Sequence, residues 1–246
     1  MFSPFEQFKI KLLFPISIAD IDLSITNITA LIVIIIGFLI TVSFIIKKNL
    51  SFIPSFWQLF VEAVYQFVFS IVKDQSGKKG YEYFPHFYTI FYTILFFNLT
   101  GLTPFSFTAS SHIIVTVTLG LSYFLAWIFV AFKTIGREFI YVFYPKNMPG
   151  WLIPLLVLVE TMSYFLRPLS LSIRLFANML AGHILLHILA QAVIFLSVLS
   201  IFVSLPGIIV VCAVCVLELG ICILQAYIFT ILLAIYLKDS LVSHGH

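Results

Sequence analysis

Charged residues are scarce in this chain. Only 9% of its 246 residues are Asp, Glu, Lys or Arg, while 62% are hydrophobic and the mean hydropathy is +1.15. An ordinary globular chain carries about 25% charged residues. A soluble fold could not cover so much apolar surface, and the composition specifies an integral membrane protein. The net charge of +3 is small and scattered, so no basic patch points to nucleic acid. Cysteine is equally sparse. Cys212, Cys215 and Cys222 are odd in number and lie in one apolar run, which argues against a disulfide framework. The Cys212/Cys215 spacing has the form of a redox or metal pair, but it lacks flanking Gly or Pro and a second pair. These thiols read as buried and inert. Also lacking is an N-terminal apolar run of signal-peptide length with a small-residue cleavage site. "MFSPFEQFKIKLLFPISIADIDLS", residues 1–24, reads as an extramembrane segment. Phe is abundant, at 28 residues; it suits lipid contact and names no function.

What is present is a series of apolar runs. "ITNITALIVIIIGFLITVSFII", residues 25–46, holds no charge over 22 residues and is closed by Lys47 and Lys48, long enough for the ~20 that a bilayer core needs. Residues 55–73 differ. Gln58, Glu62, Gln66 and Ser70 recur every four positions among Phe56, Trp57, Phe60, Val64, Phe67, Val68 and Ile71. That pattern predicts an amphipathic helix with a narrow polar face, started at Pro54–Ser55, lying at the membrane interface or packed on neighbours. A plain span is the rival reading. Residues 84–104 and 113–132 predict two further spans, with Asn98 and Thr100 near the end of the first. An uncharged connector, "PFSFTASSH", joins them.

Charge asymmetry orients the chain. Lys47, Lys48, Lys73, Lys78 and Lys79 fall on one side, and Lys133, Arg137 and Lys146 fall on the same side two spans later. The connector between those spans has no Lys or Arg. By the positive-inside rule the basic loops face the cytoplasm or its organellar equivalent, with the N-terminus outside.

From Trp151 to Leu237 there is no polar loop, and the only charges are Glu160, Arg167, Arg174 and Glu218. A helix from Leu152 to Ala190 would be ~58 Å long at ~1.5 Å per residue, against a hydrocarbon core of ~30 Å. It is either steeply tilted or broken at Pro168 or Gly182. Residues 193–237 raise the same question, with Pro206–Gly207 as their one strong break. Two long inclined helices, residues 150–190 and 193–237, form a hairpin on the economical reading. Four short spans would need polar turn residues that the sequence does not offer. The expected fold is one all-α membrane domain.

Glu160, Ser163, Arg167, Ser170, Arg174 and Asn178 are spaced 3, 4, 3, 4 and 4 apart, which puts all six on one helix face. Arginine keeps its proton under any condition a protein meets, and charge at membrane depth faces a partner or a water-filled cavity. The seam therefore predicts an ion path or partner contact. Its bland alternative is a helix-pairing seam, with Arg167 snorkelling and Glu160 paired to an arginine. Glu218 and Gln225 lie seven apart on one stripe with Cys215 and Cys222. Glu218 is about 19 residues from Lys238, too deep to snorkel. It is either a protonated carboxyl bonded to a neighbour or a proton relay. His183 and His187, four apart and followed by Gln191, could hold a metal, but no HExxH motif and no third ligand accompany them. At ~100° per residue His183 falls nearly opposite Arg174. A lone histidine here can be a packing residue; beside Glu218 a proton carrier is the better reading.

"LSLSIRLFANMLAGHILLHIL", followed by "LELGICILQAYIFTILLAIYL", resembles subunit a of the F-type ATP synthase membrane sector, and "SPFEQFKI" resembles its mitochondrial members. The resemblance spans nearly the whole chain and is strongest from Glu160 to Leu237. It implies that Arg174 is the arginine facing the rotating ring of subunit c. Glu160 matches an acidic residue of the channel on the matrix or cytoplasmic side. Asn178, His183 and Glu218 match polar residues of the channel from the opposite side, and Gln225 a glutamine packed close to the arginine. His187, Arg167 and Ser170 are secondary candidates. Many bacterial members carry an acid where His183 stands and a histidine where Glu218 stands; here the pair is swapped, as in mitochondrial members. The resemblance implies a multi-pass protein of the mitochondrial inner membrane, with the bacterial plasma membrane as the alternative, and no cofactor, metal or nucleotide site. Its partners would be the c ring, peripheral-stalk and other membrane-sector subunits, lipids and protons. In the family the two long helices lie steeply inclined against the ring. A stand-alone channel or secondary transporter would show internal repeats, and the sequence holds one seam and no second copy. A purely structural assembly subunit would leave the seam unexplained.

Overall fold

The computed structural model describes residues 9–15, 17–18, 21–22, 24–48, 54–102, 107–134, 136, 153–199 and 201–241. Most of the basic loop after Lys133 lies outside the described residues, as does the first part of the connector after Leu102. The chain divides into two compact units. The first holds residues 1–55, 92–112 and 175–226, and the second residues 56–91, 113–174 and 227–246.

Before the first helix the chain forms short ladders. β1 (Leu12–Phe14) pairs antiparallel with β4 (Ile25–Thr26), and β2 (Ser17–Ile18) with β3 (Ile21–Asp22). α1 therefore runs Asn27–Lys48. Ile25 and Thr26 are β-branched, favour a pleated partner, and leave the apolar run for the ladder. The Asn27 amide donates to the Lys11 carbonyl at 3.2 Å. Within the first turn the Thr29 hydroxyl donates to the Thr26 carbonyl at 2.8 Å.

α2 (Phe56–Ser76), α3 (Phe84–Leu102) and α4 (Ile113–Thr134) follow. α5 runs Ile153–Leu199 and α6 Ile201–Leu241. The 47 residues of α5 span ~70 Å at ~1.5 Å each, more than twice the ~30 Å of a bilayer core. Neither Pro168 nor Gly182 breaks it, and it continues past Ala190. α6 begins at Ile201, later than the expected start at residue 193 because α5 runs on to Leu199, and it continues through Pro206 to Leu241, past the expected end at residue 237. Pro206 stands in the second turn of α6, where the rung it lacks is near the helix start and least missed. Ser200, between the two helices, lies outside the described residues.

In the second unit α2 shows two characters. Its first turn is exposed at Phe56 and Trp57, while Val68, Ile71 and Val72 are buried. The Gln58 amide donates to Glu62 at 2.8 Å along the exposed polar stripe, and the Ser76 hydroxyl donates to the Ala234 carbonyl of α6 at 3.1 Å. Phe87 stacks on Trp127 at 5.3 Å, and Phe124 meets Tyr164 at 5.2 Å and Tyr236 at 6.0 Å. Lipid is as apolar as leucine, so helices in a membrane associate through close packing of small residues. Gly120 of α4 is such a point. A Cβ there would collide with the Ser172 hydroxyl of α5 and lie 3.4 Å from the Pro168 carbonyl. Ser172 in turn donates to that carbonyl at 2.9 Å.

In the first unit Phe38 of α1 packs edge-on against Phe96 of α3 at 4.8 Å. Gly207 of α6 admits Val193 of α5, whose Cγ2 would lie 2.7 Å from a Cβ there. That glycine marks a close approach and not a break. Among the described residues, α4, residues 153–197 of α5 and residues 204–238 of α6 are long and apolar enough to cross a membrane, and Asn27–Thr41 is a shorter apolar stretch. Large apolar side chains such as Val33, Ile34, Phe195 and Val216 face outward. This is an all-α integral membrane protein; among the described residues, short strands occur before α1 alone.

Candidate functional site

The first unit encloses a group of polar side chains. Glu218 of α6 is 7% exposed and Gln225, two turns on, is 1% exposed. Among the described residues neither Oε1 of Glu218 nor either amide atom of Gln225 has a hydrogen-bond partner. The Glu218 carboxyl rests against Gly182 of α5: a Cβ at 182 would lie 2.6 Å from Oε1 and 3.0 Å from Cδ. The glycine that looked like a helix breaker is a socket for the acid.

His183, the next residue, turns to α3. Its Nε2 is buried and would lie 3.1 Å from a Cβ at Gly101, with Met179 Cε and Thr108 Cγ2 each 2.8 Å from the same point. Gly101 thus lets the imidazole approach the α3 backbone. His187, one turn further, is held differently. The Gln191 amide lies 3.0 Å from its Nε2. An amide nitrogen can only donate, so that ring nitrogen accepts. Among the described residues no three of His, Cys, Asp and Glu come together.

The seam on α5 has a different surface. Glu160, Ser163 and Arg167 are half-buried, and Ser170, Arg174 and Asn178 are exposed. Arg167, Ser163 and Ser170 line one open groove with Leu158, Val159, Met162 and Leu166. The Ser170 hydroxyl donates to the Arg167 carbonyl at 3.0 Å, an i−3 bond that ties it to its own helix. Arg174 stands on the outside of the chain.

The expected cysteine environment needs correction. Only Cys222 is buried, whereas Cys212 and Cys215 lie exposed; all three are free thiols. A stripe read from sequence cannot tell which side of a helix meets its neighbours and which meets the membrane.

Several buried polar groups escaped the reading of the sequence as site residues. Asn98 of α3 is 1% exposed with Oδ1 unpartnered among the described residues. Thr108, Ser110 and Ser111, in the connector before α4, are all buried. Their signal was a polar connector with no charge, which a solvated loop would share.

The sequence pattern of the ATP synthase A chain family matches residues 26–238. The chain belongs to that family. An ATP synthase subunit a of Rhodospirillum rubrum is 41% identical over 244 residues, covering 99% of this chain and 100% of the relative. One of Chondrus crispus is 41% identical over 246 residues, covering 98% and 97%. One of Marchantia polymorpha is 42% identical over 249 residues, covering 98% and 99%. The match to the ATP synthase A chain family takes in α1 to α6 and every candidate from Glu160 to Gln225.

Proposed function

We propose that this membrane-sector subunit of ATP synthase translocates protons as the stationary partner of a rotating ring of c subunits. Protons enter from the outer side along a half-channel containing Asn178, His183 and Glu218, with Gln225 beside its end. Each passes to a carboxylate on the ring, which carries it round through lipid. Near Arg174 that carboxyl gives up its proton, which leaves by a second half-channel at Glu160. His187, Arg167 and Ser170 flank these paths.

Arg174 has two tasks. Its charge favours the ionised ring carboxylate, and it repels protons that would leak straight between the half-channels. A lysine could lose its proton on burial and would be a poorer barrier. The electrical part of the driving force is about 2.3 kcal/mol per elementary charge per 100 mV.

One observation carries this reading: Glu218 is an enclosed carboxyl with an unpartnered oxygen, set against Gly182 beside a histidine. Such a group is expensive as packing and useful as a proton station. The subunit makes and breaks no covalent bond; synthesis belongs to other subunits. α5 and α6 lie steeply inclined, which fits their length to the bilayer. Peripheral-stalk subunits hold the chain still. We place it in the mitochondrial inner membrane on the resemblance of "SPFEQFKI" and of the His183/Glu218 arrangement. Proton flux through reconstituted vesicles carrying Glu218→Gln tests the reading: flux falls at least tenfold if Glu218 is a station, and unchanged flux makes it packing.

A further inference from the structure

We infer that the connector Thr108–His112 is the outer mouth of the water-filled path to Glu218, with Asn98 and Ser110 holding its water and His112 the first group to exchange protons. This rests on the proposed role of Glu218.

Connectors ordinarily run over the surface of a protein. This one does not: Ala109 is 0%, Ser110 1% and Ser111 5% exposed. Nor is it an apolar plug. Thr108 donates to the Ser111 hydroxyl at 2.9 Å, and Ser111 donates to the Thr108 carbonyl at 2.7 Å, so those two satisfy each other. Ser110 Oγ, Asn98 Oδ1 and His112 Nε2 are buried and have no hydrogen-bond partner among the described residues. Buried polar atoms left over by the protein are the usual partners of enclosed water.

These residues sit on the segments that meet the acid's neighbours. Asn98 stands three residues before Gly101 and so shares its face of α3. Thr108 and His183 both converge on Gly101, and Gly182, the neighbour of His183, meets Glu218. The connector, α3, α5 and α6 are thereby linked in one unit. The connector has no Lys or Arg, which places it on the outer side, where protons enter.

His112 stands at the end of the connector. Its ring stacks on Phe107 at 5.1 Å, which fixes its direction. It is the connector's one titratable side chain; inward of it, α5 brings His183 and α6 Glu218. Burial lowers its pKa below the usual histidine value. The part-exposed ring thus stays neutral at neutral pH, takes a proton from outer water at Nδ1 and gives up the proton on buried Nε2 to the water held by Ser110 and Asn98.

The test uses the complete ATP synthase with Cys212, Cys215 and Cys222 replaced by alanine. Ser110→Cys and Asn98→Cys are treated with a small cationic methanethiosulfonate before reconstitution into vesicles. Both thiols are expected to react, and ATP-driven proton pumping is expected to fall at least fivefold while the parent is unaffected. Unreactive thiols, or reaction with pumping kept within twofold, overturn the mouth. If Ser110→Cys fails to assemble, His112→Cys is judged by the same criteria. His112→Gln tests the exchange role in ATP synthesis driven by an imposed proton gradient. Synthesis is expected to slow about threefold in dilute buffer and to recover in concentrated small-molecule buffer. No slowing, or equal slowing at every buffer concentration, overturns it. Glu218→Gln separates the two levels: if it abolishes flux while Ser110→Cys is inert, the mouth alone falls. Unchanged flux in Glu218→Gln removes the path itself.

Discussion

Arg174 and Glu218 are handled in opposite ways. The arginine stands exposed on α5, and the acid is enclosed at 7% exposure on α6 with an oxygen that no described residue engages. A membrane helix that exposes a permanent charge needs an answering group on another molecule. A carboxyl buried within its own chain can instead be neutral or charged, and the change between those states is what a proton path uses. On the proposed reading the contrast separates the group that meets a partner from the group that handles the proton.

The largest effect is expected where the partner-facing charge is removed. Arg174→Ala is expected to lower ATP-coupled proton transport by about a hundredfold or more while leaving assembly largely intact, since an exposed side chain supports little of its own fold. Native-gel assembly and vesicle acidification measure the two; retained coupling would break the contrast at its exposed end. At the enclosed end, Glu218→Gln keeps shape and removes the titrating group, with flux expected to fall at least tenfold in reconstituted vesicles.

Next comes the socket. Gly182→Ala forces a methyl toward Oε1, at a place where a Cβ has 2.6 Å. Overpacking of this kind destabilises by about 1–3 kcal/mol. Thermal unfolding in detergent is expected to show the loss and vesicle assays a severalfold drop in flux; normal flux would mean that the Glu218 carboxyl can move without consequence. Gly120→Ala, against Ser172, is expected to cost a similar ~1–3 kcal/mol yet leave flux per assembled complex unchanged, because no proton-path candidate takes part in that contact. The smallest effect belongs to Cys212→Ser, an exposed thiol, with stability expected within ~0.5 kcal/mol of the parent.

Much of the helical fold was legible, because charge-free runs such as residues 113–132 can do little else at membrane depth. The seam spacing on α5 was legible for the same reason. What escaped was anything decided by a neighbour. Pro168, Gly182 and Gly207 read as possible breaks; the helices run through them, as the economical reading had it, but what these residues contact could not be read. In a long helix with no water nearby, keeping the backbone bonded outweighs glycine's freedom, and the missing side chains serve contact. Ser110 and Asn98 read as ordinary polar residues near a loop. Only the fold reveals that both are enclosed, each with a buried polar atom. The ladder at Ile25 was hidden because an apolar β-branched run suits strand and span alike.

The continuity of α5 has a mechanical consequence. On the proposed reading a ring turns past this helix and pushes on it, and a rotor delivers torque only against something that does not yield. A helix continuous from Ile153 to Leu199 is a stiff beam along its axis, and sideways it gives most readily where a rung is missing. That place is Pro168, which cannot donate. There the α4 backbone at Gly120 presses close and the Ser172 hydroxyl adds a bond to the Pro168 carbonyl. The beam is braced at its weakest rung, less than two turns from Arg174, the residue that on this reading meets the ring.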